Sequence, residues 1–504
     1  MTQTLRIALV IVCAAVYLQF SPGRILFPDD EIVYQTTRSL YERGSVAIEG
    51  IPRRTGEPKK RPTGTFGWAP GTDGKRYGFF GHGLSVAAIP LYALGKQVQQ
   101  HAPETWRHAI RSDAFFLHPR SPGNDWPRML VSFTNCIVTA LAALVLAEWL
   151  VALGYTARVA MMTALTYALG TSAWAYAGTF LSEPLSALLL LGAAWCVTRF
   201  FAQASQPNPQ GAGWLMLASG LVAASVHTHV LNVVAVPAYV AWVLTALRRR
   251  GALRDHQRAL IAAAAVGAVG LAMLGASQAA RFGSPFETGR YGHYSHFVVP
   301  ADGLLAMVLA PGRSLWLYSP ALLLALPGTR AFVARHRDVA IFIGVLAVSR
   351  WVFVASRSDW WGGWAIGPRY LLPLVPFMLI PLAEVLTRAG TASRRAKVTL
   401  GVALTACVGL SMHLAAHNIF EHMVRISKRE AAGTMRYIDI SHWVPSASPI
   451  VGFNDLPIDT LAHGSLRLAE HGHSGLAWVF GAVAGLGVVA GLVLARRLLA
   501  RSSD

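Results

Sequence analysis

The chain has 504 residues, of which 54% are apolar and only 14% charged, with a mean hydropathy of +0.42. A soluble protein carries about a quarter charged residues, so this chain cannot cover a water-facing surface and a soluble reading is excluded. The formal charge of +19 would suggest nucleic acid on a soluble protein. On a polytopic membrane protein it points instead to loop ends rich in Lys and Arg on the cytoplasmic side, and no nucleic-acid partner is expected.

The first apolar run is Leu5–Phe20. Ser21-Pro22-Gly23-Arg24 follows it in place of a small-residue cleavage site, so it reads as a retained signal-anchor with its N-terminus inside. A long hydrophilic stretch, residues 21–128, comes next, with 15 Lys and Arg against 10 Asp and Glu. Its one apolar segment, Gly83–Leu94, has about 12 residues, too few for a span of about 20, and suits an interfacial helix.

Eleven further apolar runs follow: Met129–Leu153, Ala157–Ala177, Leu185–Ala202, Gly213–Val226, Leu231–Leu247, Ala259–Ala280, Ser314–Pro327, Val339–Ala355, Tyr370–Leu386, Val398–Ala416 and Leu476–Ala495. With the first they make twelve spans, of which Gly213–Val226 and Ser314–Pro327 are short. The even connections hold Arg158, Arg248, Arg249, Arg250, Arg330, Arg335, Arg388 and Arg394, and the tail holds Arg496 and Arg497. Both termini are therefore expected in the cytoplasm. The other face receives residues 21–128 and 417–474 and the short connections 178–184, 227–230, 281–313 and 356–369, and chemistry is expected there. Cys13, Cys136, Cys196 and Cys407 all lie inside apolar runs, so neither a disulfide framework nor a zinc site is indicated.

About eight residues beyond the first span stands Phe27-Pro28-Asp29-Asp30-Glu31, opening an amphipathic helix Glu31–Arg43 that Gly44 ends. Asp29 or Asp30 can cap that helix. Clustered carboxylates at a membrane surface can also supply a general base, because repulsion and burial raise one of their pKa values.

This string, with Tyr34, Leu40 and Gly44, resembles the first extracytoplasmic loop of the GT-C superfamily of lipid-linked-sugar glycosyltransferases. It is most similar to the protein O-mannosyltransferases and the lipid A aminoarabinose transferases. The resemblance implies that Asp30-Glu31 is the family's acidic pair, with Asp30 favoured as the catalytic residue and Asp29 as the alternative. Lys75-Arg76-Tyr77, Gly83-Leu84-Ser85 and Pro90-Leu91-Tyr92 look like the next juxtamembrane helix. A lysine that meets the donor phosphate in many members is missing from Gly78-Phe79-Phe80-Gly81-His82, which leaves His82, Lys75 and Arg76 as local substitutes. Glu183, in Leu181-Ser182-Glu183-Pro184, matches a supporting acid of the family, although an acid before proline also caps a helix. His229, in Val226-His227-Thr228-His229, stands where relatives carry a cation. Phe282-Gly283-Ser284-Pro285 and Trp316-Leu317-Tyr318 resemble a loop and span of bacterial members. Trp360-Trp361-Gly362-Gly363-Trp364 and Gly367-Pro368-Arg369-Tyr370 resemble the entry to the tenth span, and Arg369 there can donate paired hydrogen bonds to a phosphate or snorkel to lipid headgroups.

The resemblance covers about residues 1–416 and implies an all-α polytopic membrane protein with the GT-C fold, about twelve spans, and juxtamembrane helices in the first outside loop. Residues 417–474 form a second extracytoplasmic segment without a recognisable motif, and 475–504 the last span and tail. The implied function is transfer of a sugar from a polyprenyl-phosphate donor to a lipid, glycan or protein acceptor, with an Asp base and inversion, at the outer face of the plasma membrane. No metal ligands are assigned and no cofactor is required, although some branches of the superfamily use a divalent metal. His413, His417 and His422, and also His293 and His296, carry no clear metal spacing. The competing readings are a transporter or lipid flippase, a ligase that uses a diphosphate-linked donor, and a non-enzymatic membrane scaffold.

Overall fold

The computed structural model describes residues 1–49, 67–111, 124–204, 211–290, 295–433 and 435–500. His293 and part of the charged stretch within residues 21–128 lie outside them. Helix α1 (Gln3–Phe20) is followed by helix α2 (Pro28–Arg43). Pro28 occupies the first turn of α2, where its missing N–H costs nothing, and Gly44 closes the helix in the left-handed region at φ 61°. The cap position is Phe27, without a side-chain hydrogen bond. Asp29 and Asp30 therefore sit inside the first turn and do not cap the helix, which frees their carboxylates for other partners.

Beyond α2 lies a small antiparallel sheet of β1 (Ala47–Ile48), β2 (Trp68–Pro70) and β3 (Arg76–Gly78) in the order β1-β3-β2, with Tyr77 paired to both Ala47 and Ala69. The expected interfacial segment is two helices, α3 (Gly83–Ala87) and α4 (Ile89–His101), lying against α2.

Among the described residues, nine helices are long and apolar enough to cross a membrane. The remaining three of the twelve expected spans are helical but short or broken. Ala157–Ala177 divides at Thr171, whose backbone is extended, into Ala157–Gly170 and Ala173–Ala177. Gly213–Val226 forms the 17-residue helix Ala212–Thr228. Ser314–Pro327 is split into Leu315–Tyr318 and Ala321–Ala325 around Pro320, which lacks the N–H that a continuous helix needs.

The helices pack in a chain of neighbours. Helix α1 lies against Thr134–Ala152 and Ser474–Ala500. Glu183–Ala204 lies between Thr134–Ala152 and Ala212–Thr228, which in turn packs on Gln257–Phe282. The ends of this bundle differ in character. At one end Arg6 pairs with Glu148 at 2.8 Å, Arg249 with Asp338, and Tyr155 donates to Glu384 at 2.7 Å. The opposite end gathers the C-terminus of α1, the N-termini of Glu183–Ala204 and of the span starting at Arg369, and the whole of α2.

The unassigned segment 417–474 belongs to that second end. Arg24 forms a buried ion pair with Asp459 (Nη1 to Oδ1, 2.7 Å), and Leu461 N donates to Ser21 O at 2.7 Å. Trp364 packs on Phe420 and Tyr437, with ring centroids 5.0 and 6.3 Å away.

Candidate active site

Three carboxyl side chains and one guanidinium meet where the first turn of α2 comes near the start of Glu183–Ala204. Arg369 donates from Nη2 to Asp29 Oδ2 at 3.2 Å, and its Nε stands 3.4 Å from Glu183 Oε1. The second contact is an ion pair without hydrogen-bond alignment, because Arg369 Nε lacks a hydrogen-bond partner; Glu183 Oε2 is also buried without one. Arg369 and Glu183 are buried, while the Asp29 side chain retains 18% exposure. Two glycines make the approach feasible. Gly362, at φ 73°, lies so close that a Cβ there would sit 2.7 Å from Arg369 Cγ. A Cβ on Gly81 would sit 2.3 Å from His227 O, so only glycine lets the Phe80-Gly81-His82 segment lie against the C-terminal end of helix Ala212–Thr228.

Asp30 stands behind this pair at 1% exposure. Phe180 N donates to its Oδ2 at 3.2 Å, and its Oδ1 is buried without a partner. Burial pushes the Asp30 carboxyl well above the usual range. The Phe180 N–H and Arg369 oppose that shift, and the neighbouring Asp29 and Glu183 add to it.

Two adjoining depressions open beside the cluster and share Phe80, Gly81, Ser182, His229 and Arg290. One is walled by Asp29, Glu183 and Arg369; the other reaches His82, Gln278 and Arg281. Arg290 is held by Asp359 and by Tyr370 Oη (3.3 Å), and its Nε is buried without a partner. Tyr370 Oη also accepts from Arg369 at 3.3 Å, so one hydroxyl ties the two guanidiniums together. Burial works against ionised Asp359, yet Arg290, Ser295 and Arg357 hold its carboxyl below the usual value. The walls thus present three guanidiniums, Arg281, Arg290 and Arg369, and one partly exposed carboxylate, a set suited to a phosphate ester and a nearby hydroxyl.

The residues expected from sequence divide sharply. Asp29, Asp30, Glu183 and Arg369 come together, and His229 joins them as a cavity wall. His229 Nδ1 accepts from Leu231 N at 3.2 Å and its ring meets Tyr370 edge-on, so a backbone bond occupies that nitrogen. His82 lines the second depression, but its Nε2 accepts from Arg281 Nη1 at 3.1 Å. Burial, with Arg281 beside it, lowers the His82 pKa to about 3, so the cation there is Arg281 and not His82.

Glu31 is turned away and held by Arg128 (Nη2 to Oε1, 3.0 Å) and Gln35 (2.7 Å), which makes it a structural ion pair. Lys75 and Arg76 lie on the sheet, where Lys75 pairs with Asp73 at 3.2 Å and Arg76 donates to Glu49 O at 2.9 Å. They line a separate open depression and do not reach the carboxylate cluster. His413 and His417 lie side by side with tilted rings and each bonds a backbone carbonyl, as does His422. Among the described residues no group of three or more His, Cys, Asp or Glu is placed to hold a metal ion.

Arg281, Arg290 and Arg350 escaped the sequence reading. Arg350 lies within a span, fully buried, donating to Tyr370 O and Asn232 Oδ1 at 2.6 Å each. The available signal was an arginine inside or beside an apolar run, which by default marks function.

The oligosaccharyltransferase of Archaeoglobus fulgidus superposes on this chain with a TM-score of 0.54 and 11% identity, over 86% of this chain and 59% of that one. The chain has the GT-C fold. A second structure from that organism, the oligosaccharyltransferase AglB in complex with an inhibitory peptide and a dolichol-phosphate, gives a TM-score of 0.52 and 9% identity over 89% and 55%. This chain thus spans between half and two thirds of the archaeal enzyme's length. ArnT from Cupriavidus metallidurans bound to undecaprenyl phosphate matches at a TM-score of 0.49 and 15% identity, over 99% of this chain and 78% of that one. No protein-family model and no curated protein sequence matches the chain.

Proposed function

We propose that the protein is a membrane glycosyltransferase that moves a sugar from a polyprenyl-phosphate donor to a lipid, glycan or protein acceptor, with inversion at the anomeric carbon. The observation that carries this reading is Arg369, clamped between Asp29 and Glu183 on the wall of a cavity that Arg290 also lines. The dolichol-phosphate bound by the archaeal enzyme of the same fold supports a lipid-phosphate ligand.

In this mechanism Arg369 and Arg290 receive the donor phosphate, and the polyprenyl chain lies between helices. Asp29 takes the proton of the acceptor hydroxyl as that oxygen bonds the anomeric carbon. The bond from the anomeric carbon to the phosphate oxygen breaks, and polyprenyl phosphate leaves with the electron pair. Fixed guanidiniums stabilise the charge that develops on the leaving oxygen, usually the larger catalytic contribution. Glu183 holds Arg369 from the other side.

We assign the base to Asp29, although alignment through Tyr34 favours Asp30. Asp29 reaches the cavity, whereas Asp30 is buried behind it, where burial raises its pKa. Arg248 and Arg249 end the span Val230–Arg249 at the far end of the bundle, with Arg250 just beyond, which supports cytoplasmic termini and an extracytoplasmic site.

The test is sugar transfer from polyprenyl-phosphate donors by purified protein in proteoliposomes, comparing Asp29→Asn, Asp30→Asn and the double variant. Full activity in the double variant rejects the acidic cluster as the base.

A further inference from the structure

Arg369 begins its span directly after a loop, Trp360–Pro368, that has little internal means of holding one shape. Gly362, Gly363 and Gly367 lie at φ 73°, 70° and 61°, and such positions are entropically costly to order. The order comes from outside the loop. Arg313, fully buried, donates from Nη1 to Ala365 O at 2.6 Å and Gly367 O at 3.1 Å, and from Nη2 to Gly363 O at 3.0 Å. Arg369 N then caps back onto Gly367 O at 3.1 Å.

Arg313 is in turn fixed by the segment that carried no motif. Gly312 N donates to His442 O at 3.0 Å, and a Cβ on Gly312 would lie 1.9 Å from Ser441 O. His442 sits against the rings of Trp360 and Trp361, at 5.2 and 5.9 Å. The helix Tyr437–Trp443 therefore touches the loop directly and also holds the arginine that shapes it.

We propose that Arg313 is a positioning residue for Arg369, and that helix Tyr437–Trp443 of the second extracytoplasmic segment sets the phosphate-binding geometry through the Gly312–Arg313 pair. The planar fork of arginine matters here, because one ammonium cannot hold three carbonyls in fixed directions. The inference rests on the donor-site reading of Arg369 given above.

The experiment uses the full chain in lipid nanodiscs and compares binding of undecaprenyl phosphate with binding of undecaprenol, which lacks the anion. Arg369→Ala is expected to weaken undecaprenyl phosphate by about tenfold, the worth of one charge-assisted contact, and to leave undecaprenol unchanged. Arg313→Ala is expected to reproduce that selective loss. Gly312→Ala, which keeps the guanidinium but displaces it, is expected to do the same. Adding Arg313→Ala to Arg369→Ala is expected to cost nothing more, since both act on one group. Losses that add, equal weakening of both lipids, or wild-type binding in Arg313→Ala and Gly312→Ala would overturn the positioning role. If Arg369→Ala itself binds undecaprenyl phosphate normally, the donor-site reading is wrong and the inference falls with it.

Discussion

Arg369 donates to Asp29 at 3.2 Å although 340 residues separate them in the chain. This contact joins the first helix beyond the first span to the start of a much later span, and it ties a carboxylate to the cation of the same cavity. An acid so placed is half of an ion pair until an anionic ligand competes for the arginine, which would then leave the carboxylate free to accept a proton.

The two neighbouring aspartates should differ sharply on mutation. Asp29→Asn is expected to reduce transfer by about 10²- to 10⁴-fold, the usual contribution of a positioned base. Asp30→Asn is expected to retain activity within about tenfold, because Asp30 is buried and does not line the cavity. Rates measured on the two purified variants decide it.

Asp30 should also leave a mark on stability. Its folded pKa is raised, so above the unfolded value of about 3.9 the native chain binds a proton that the unfolded chain has released. Stability contributed by that site therefore falls as pH rises from that value toward the raised one. Asp30→Asn is expected to flatten this slope in thermal unfolding measured from about pH 4 upward.

His82 has the opposite sign. Its folded pKa is lowered to about 3 from the ordinary imidazole value of 6.5, so between these values the unfolded chain binds more protons. Stability then rises with pH through that window and is lost as acid is added. His82→Gln is expected to melt at higher temperature than wild type at pH 4.5 relative to their difference at pH 7, as read by scanning fluorimetry.

Glu31 serves as the control within the acidic cluster. Its side chain is 6% exposed and faces Arg128 at 13%, and removing one partner of a buried pair costs roughly 3–5 kcal/mol. Glu31→Ala is expected to unfold at markedly lower temperature while each remaining folded molecule keeps its transfer rate.

How much of this was legible in the sequence follows from the kind of signal each residue carries. Long apolar runs and the helix ended by Gly44 are local patterns, and both appear in the fold. The broken spans at Thr171 and Pro320 were obscured because apolar content persists through a backbone break. The choice between Asp29 and Asp30 was open, since adjacent residues on a helix point about 100° apart and motif spacing alone does not say which faces a cavity. Arg290 and Arg313 stand in loops with no motif, and their roles depend on Asp359, Tyr370 and three carbonyls supplied by tertiary contacts. Lys75 and Arg76 looked near the site because they are close in sequence to His82, but the sheet directs them elsewhere.

The central claim is that a lipid phosphate sits between Arg290 and Arg369 with Asp29 at its edge. The most direct measurement is a structure of the full chain in nanodiscs with undecaprenyl phosphate added. Phosphate density within hydrogen-bond reach of both guanidiniums is the expected result. Density at Lys75 and Arg76, or at a position far from Asp29 and Arg369, would contradict it.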